Sequence, residues 1–178
     1  MSDLLSGPAI TAFFRDGFAH TAWRWETRRA YGVPHETEDF RRFLRGEPAV
    51  PDPERPWLAT MRALRDEGKS VGRVRVLDDP PTDYQRWLLE DVLDSVEAGE
   101  DIRYLTRADA EGLGVSMRDF WLFDSRVVGV FHFDGDVSLG MELREDAGEA
   151  AAARHIRALA VHRARPAADT VRQVRSSM

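Results

Sequence analysis

Two arginines stand two residues apart in the run VGRVRVL (71–77), and a third, Arg103, lies in DIRYLT (101–106). Alternation of this kind puts Arg73 and Arg75 on one face of a strand and Val74 and Val76 on the other. If the two strands are neighbours, three guanidiniums line one groove. Their planar forks suit a phosphate or a carboxylate held by paired hydrogen bonds. The competing and preferred reading leaves them in solvent or pairs them with the chain's many carboxylates.

Glu100-Asp101, and Asp119 with Asp124, are the acidic candidates. Carboxylates that converge in a pocket can hold Mg²⁺ or transfer protons. Asp101 and Asp119 fall at expected strand starts, whereas ligands on open α/β sheets collect at the strands' carboxyl ends. Asp124 falls at a strand end, but Asp124-Ser125-Arg126 also suits a turn, which is the preferred reading.

Other chemistries are excluded by type or spacing. Cysteine is absent, so thiolate nucleophiles, disulfides and thiolate metal sites are ruled out. The five histidines (20, 35, 132, 155 and 162) include no pair at i, i+4, and His155 and His162 are separated by about two helical turns. No G-x-S-x-G, G-x-x-x-x-G-K or G-x-G-x-x-G run is present. No catalytic residue, cofactor or metal is therefore expected.

Positioning these residues falls to the following elements. Phe14, Phe18 and Trp25 recur at near-helical spacing, while Ala22-Trp23-Arg24-Trp25-Glu26 alternates as a strand would; periodicity leaves both open. A helix is expected over 38–45, with Thr37 as cap, Glu38 and Asp39 at its positive end, arginines at its negative end and Gly46 as its stop. The proline-rich stretch 47–56 is a loop. Trp57, Met61 and Leu64 mark an amphipathic helix that ends at Gly68. Beyond the strand at 71–77, Thr82 and Gln85 form a capping-box pair. They open a helix with Tyr84, Trp87, Leu88 and Val92 on one side. Strand 101–106, a helical turn near 108–112 and the apolar central strand 120–123 follow.

A hairpin comes next, from 126–133 and 137–143. A three-residue loop, Asp134-Gly135-Asp136, is preferred, setting Phe133 opposite Val137. Phe131, Phe133, Val137, Leu139, Met141 and Leu143 then share a face, and His132 points away. A two-residue turn would bring His132 into that face. Asp146 and Glu149 open a last helix, with Ile156 and Leu159, that Pro166 terminates. The order predicts an α/β (mixed α+β) fold, with one mixed sheet of about five strands, flanking helices and a preceding N-terminal helical segment. A single globular domain over 1–165 is expected, helical and aromatic-rich over 1–68 and sheet-forming over 69–165. A flexible basic tail over 166–178 completes it.

The chain has 178 residues, 43% of them apolar and 31% charged, enough for one domain with a real core. Its tryptophans and phenylalanines lie on apolar faces with little basic interleaving, so they read as core rather than as base-stacking platforms. No apolar run approaches the ~20 residues that span a bilayer, and residues 1–10 lack a signal peptide's pattern. A cytoplasmic protein without membrane contact is expected. The net charge of −6 is uneven. Residues 1–149 carry −11 and residues 150–178 carry +5, from Arg154, Arg157, Arg163, Arg165, Arg172 and Arg175 against Asp169. An acidic body is poorly suited to polyphosphate. Direct DNA binding through the basic C-terminal helix is the least favoured role.

The runs FFRDGFAHTAWRWETRRAYGVP (13–34), RRFLRGE (41–47), RVRVLDDPPTDYQRW (73–87), AGEDIRYLTR (98–107) and DFWLFDSRVVGVFHFD (119–134) carry a resemblance. Over about residues 9–165 they resemble an uncharacterised domain family of high-GC Gram-positive bacteria, whose members neighbour helix-turn-helix regulators and small acidic companion proteins. That likeness implies a regulatory or toxin–antitoxin-like accessory role and carries over no catalytic residue. The C-terminal part also resembles a phospholipase-D-type sensor half-domain with the motif H-x-K-x-x-x-x-D. Setting its Asp on Asp124 places Met117 at the nucleophilic His and Asp119 at the Lys. The likeness therefore implies a fold without phosphodiesterase chemistry, with Arg73, Arg75 and Arg103 as a remnant anion site.

These readings together predict a non-enzymatic cytoplasmic regulatory module. It would bind a protein partner (a helix-turn-helix regulator or its acidic companion) or a small anion, with Arg73, Arg75, Arg103, Asp101, Asp119 and Asp124 as candidate ligand-binding residues. The alternative is a toxin-like, Mg²⁺-dependent enzyme acting on a phosphoryl substrate or RNA through the same aspartates and arginines.

Overall fold

In the computed structural model, which describes residues 4–32, 37–50 and 52–176, helices and strands interleave along the whole chain. The helices are α1 (Gly7–Asp16), α2 (Thr37–Leu44), α3 (Pro56–Asp66), α4 (Asp83–Leu88), α5 (Val92–Glu97), α6 (Arg107–Glu111), α7 (Ala147–Arg163) and α8 (Ala167–Ser176). The strands are β1 (Thr21–Glu26), β2 (Ser70–Leu77), β3 (Glu100–Thr106), β4 (Phe120–Phe123), β5 (Val127–Asp134), β6 (Val137–Arg144) and β7 (Arg165–Pro166). His35 and the side chain of Thr37, the expected cap of α2, lie outside the described residues. The Thr82–Gln85 capping box is present in full at α4. At α7 Asp146 accepts from the Glu149 N–H.

One mixed sheet runs in the order β6-β5-β4-β1-β2-β3-β7. β1, β2 and β3 are parallel. β4 lies antiparallel to β1 and continues as a meander through β5 and β6. The short β7 edges β3 antiparallel. The mixed α+β class is as expected, but the N-terminal third is no separate helical part. It supplies β1, which sits between β2 and β4 at the middle of the sheet. Tryptophans at 23 and 25 fill one face, Ala22, Arg24 and Glu26 the other, and both sets are covered by neighbouring elements.

On the first face Trp23, Trp25, Val74, Val76, Leu105, Phe120, Leu122, Val128 and Val130 pack beneath α7. That helix presents Ala150, Ala153, Ile156 and Ala160, small side chains that let it lie close to the sheet. Burying each large residue here contributes about 1.5–3 kcal/mol. On the second face α1, the turn that follows it and α3 bring Phe14, Phe18, Leu58, Met61 and Leu64 onto Ala22, Val71, Trp121, Phe123 and Met141. Phe14 meets Trp121 edge-on at 4.9 Å, and Phe13 meets Phe123 at 4.8 Å, the geometry that aromatic quadrupoles favour. Farther along this face Leu89, Val92, Ala167 and Val171 pack on Leu77, Ile102 and Tyr104. The segment expected to be a loose tail is therefore α8, held by Ala167, Thr170 and Val171 at i, i+3 and i+4.

The last hairpin departs from the expected register. Asp134 pairs with Val137 across a two-residue turn, Gly135-Asp136. A bulge then slips the ladder between His132 and Phe133, so Phe133 faces Ser138 while Phe131 faces Met141. The extra residue is Leu139. This single insertion keeps Phe131, Met141 and Leu143 on the buried face and His132 on the other. It leaves Val137 54% and Leu139 56% exposed, so the expectation that both are buried fails.

Candidate functional site

Parallel pairing places Arg24 level with Arg73 and Glu26 level with Arg75, all on the second face of the sheet. Like charges side by side on adjacent strands would repel. Glu26 resolves this. Its Oε2 accepts from Arg73 at 3.0 Å and from Arg75 at 3.1 Å. Arg73 also donates through Nε to Glu100, whose other oxygen accepts the Trp57 indole N–H at 2.8 Å. Arg75 reaches the Tyr104 hydroxyl at 3.5 Å. Arg73 and Glu100 are 6% and 1% exposed, so these charges persist only because they are paired.

Burial alone pushes the Glu26 carboxyl up, but Arg75, Arg24 and Arg73 outweigh it and hold the group well below the usual carboxylate range. Burial likewise lowers the Arg75 guanidinium, but Glu26, with Tyr104 and Glu100, outweighs it, and the group ends well above its ordinary value. Burial also drives the Tyr31 hydroxyl well above its ordinary value, so it acts as a neutral donor to Asp119 Oδ2. Asp119 Oδ1 accepts from the Thr27 N–H at 3.0 Å and the Thr27 hydroxyl at 2.6 Å.

Arg24 differs from its neighbours. Its Nε is buried and has no hydrogen-bond partner among the described residues. Glu26 and Asp119 stand 3.9 and 3.8 Å away, beyond hydrogen-bonding distance. Instead the guanidinium lies among the rings of Phe131, Tyr31 and Trp121, at 4.9, 5.3 and 5.8 Å from their centroids. It forms part of the floor of a cleft of about 190 Å³. Glu26, Arg73 and Arg75 complete that floor, and Tyr31, Tyr84, Leu88, Phe131 and Phe133 wall it. Asp136 and Ser138, from the bulged β5–β6 hairpin, stand at its rim. The cleft lies over the carboxyl halves of β1 and β2, beside the strand where the sheet turns from parallel to antiparallel.

The expected site residues divide. Arg73 and Arg75 share the cleft floor, chiefly as paired cations, whereas Asp119 does not line it and instead bonds to Thr27 and to the wall residue Tyr31. Arg103 does not join them: β3 is the neighbour of β2, but Arg103 is level with Val74 and so lies on the opposite face, with Nε 3.1 Å from both oxygens of Asp101. Asp101 is exposed there. Asp124, at the far end of β4 from Asp119, accepts backbone N–H groups of Ala19, His20 and Thr21 at 2.7, 2.7 and 2.9 Å. Burial raises its carboxyl, but these donors outweigh that and depress it. With Ser125 it also forms the β4–β5 turn, at φ 49° and 57°. The three aspartates and three arginines therefore form no common groove, and the remnant anion site implied by the phospholipase-D likeness is not assembled. The C-terminal arginines form no single stripe either, since α7 covers one face of the sheet and α8 the other.

Arg24, Glu26, Tyr31 and Trp57 were not among the expected site residues. The usable signal was charge alternation in AWRWE, which sets Arg24 and Glu26 on one strand face as VGRVRVL sets Arg73 and Arg75. Among the described residues, no group of three or more His, Asp or Glu is placed to hold a metal ion, and no helix is long and apolar enough to cross a membrane.

Fold and site together define a mixed-sheet α+β protein with an aromatic-walled cleft over a buried ion-pair network. The chain belongs to the family described as domain of unknown function DUF6879, whose model matches residues 8–172. No curated protein matches it.

Proposed function

We propose that this chain is a non-enzymatic cytoplasmic module that recognises a small anionic ligand in the cleft over β1 and β2. The observation that carries the reading is Arg24, whose partly exposed guanidinium lies among rings in the cleft lining with its carboxylate neighbours, Glu26 and Asp119, no nearer than 3.9 and 3.8 Å. A guanidinium that lines a cleft in low-dielectric surroundings without a close carboxylate favours an incoming carboxylate or phosphate. The test is calorimetric titration of the purified protein with acetate and with inorganic phosphate, repeated on Arg24→Gln. Saturable binding that weakens at least about ten-fold in the variant, the loss expected for one charge-assisted contact, supports the reading. Absence of binding, or binding indifferent to Arg24, refutes it.

A protein partner is the second reading, supported by exposed apolar residues beside the same cleft. Leu4, Val137 and Leu139 are 41%, 54% and 56% exposed, and Val137 and Leu139 alternate with the rim residues Asp136 and Ser138. A helix-turn-helix regulator, or its acidic companion, docked there would sense occupancy of the cleft. Sedimentation of the purified pair, with Leu139→Asp as the disrupting variant, tests this. A complex unaffected by that change counts against it.

A further inference from the structure

We infer that the cleft takes a monovalent, single-ring aromatic carboxylate, its carboxylate on Arg24 and its ring against the Phe131–Phe133–Tyr84 wall. This sharpens the anion-binding reading and rests on it.

The charge balance selects the valence. Arg24, Arg73 and Arg75 are matched one for one by Glu26, Glu100 and Asp119, so the network brings no excess positive charge to a ligand. Glu26 and Asp119 already stand within 4 Å of Arg24. Attraction and repulsion both scale with the ligand's charge and offset one another over a balanced network, whereas the cost of stripping water from the ligand grows as the square of its charge and is greatest for a dianion. The Arg24 fork therefore suits a carboxylate better than a doubly ionised phosphate.

The walls select the body of the ligand. Beyond the floor the cleft presents Tyr31, Tyr84, Leu88, Phe131 and Phe133. Tyr31 lies 6.4 Å from Tyr84 and 6.1 Å from Phe133 by ring centroids, and a fourth ring can join such an arrangement by edge or offset contact. The volume of about 190 Å³ is close to the roughly 150 Å³ of an engineered cavity that accepts benzene. One ring bearing one carboxylate fills a space of this size.

Titration with sodium benzoate, sodium acetate and inorganic phosphate at one pH and ionic strength tests this. Benzoate is expected to bind about ten-fold more tightly than acetate, the gain from withdrawing part of one ring from water, and phosphate most weakly. Phe133→Ala should erase the benzoate advantage and leave acetate binding in place. Arg24→Lys, which keeps the charge and loses the fork, should weaken benzoate several-fold. In wild-type protein, nuclear Overhauser contacts from the benzoate ring to Phe133 and Tyr84 would fix its position without any variant. Benzoate no tighter than acetate, phosphate tighter than either, or ring contacts elsewhere would overturn this inference while leaving an anion site. No saturable binding by all three would remove the anion-binding reading as well.

Discussion

Replacing Glu26 by Gln tests the account of the buried network most directly. The carboxyl is 5% exposed, and one of its oxygens accepts from Arg73 at 3.0 Å and Arg75 at 3.1 Å, with Arg24 at 3.9 Å. Glutamine keeps the shape and an acceptor but removes the charge, leaving three guanidiniums with Glu100 and Asp119 alone. Breaking a buried pair by removing one partner costs about 3–5 kcal/mol. In a chain of this length that lowers the melting temperature by about 6–20 °C. The assay is urea unfolding followed by tryptophan fluorescence, comparing midpoints at constant m-value. The loss also has a pH signature. Glu26 has a depressed folded value against an ordinary 4.5, so its stabilisation is complete above the unfolded value and declines as pH falls from there toward the folded one. The gap between wild type and Glu26→Gln should be constant from about pH 6 to 8 and narrow below about pH 4.5. Adding Arg75→Gln to Glu26→Gln should recover part of the loss, because one unpaired cation goes with it. A single-variant cost under about 1 kcal/mol, the range of an exposed pair, or a gap that widens in acid, would refute the reasoning.

Asp124→Ala should cost about 1–2 kcal/mol, as removal of a side-chain cap does, while ligand binding in the cleft stays unchanged; denaturant midpoints and titration together check this. Because its carboxyl is depressed below 3.8, its share of stability should fade only as pH drops below that ordinary value. Gly140→Ala should lower stability by about 1–3 kcal/mol, since the residue has φ +142° and its Cβ would stand 2.8 Å from the Leu5 carbonyl oxygen; amide exchange at Leu5 and Met141, which bond to each other's carbonyls, should accelerate with it. Thr82→Ala should cost about 1 kcal/mol by opening the capping box of α4, measured by the same unfolding assay.

Much of the sheet was readable in the residues because alternation is a local signal. The strands at β2, β3, β4, β5 and β6 begin and end within a residue or so of where valines, phenylalanines and turn residues place them. β1 stayed ambiguous because its apolar pair, Trp23 and Trp25, continues an aromatic series begun by Phe14 and Phe18 in α1. Only the pairing with Val74 and Phe120 on either side decides between a helix face and a strand face. The arginines of β2 raise a different difficulty. A polar face one residue out of phase with valines reads as solvated or as paired with carboxylates, and although pairing is what occurs, nothing local announces that Glu26 and Glu100 arrive from other strands to supply it. Arg103 was misplaced by register, which a strand carries only jointly with its neighbour. In α8, polar residues outnumber apolar ones, so its three contact positions, though spaced for one helix face, read locally as a frayed end.

The central place of β1 has a consequence for how the polypeptide assembles. Without it the parallel pair β2–β3 and the meander β4–β6 would share no ladder, and each would expose an open edge prone to wrong pairing. A fragment beginning after Gly68 is therefore a pair of half-sheets rather than a smaller protein. During synthesis the earliest strand must wait nearly a hundred residues for Phe120–Phe123 to emerge and close its second side, a long-range pairing of the kind that slows folding.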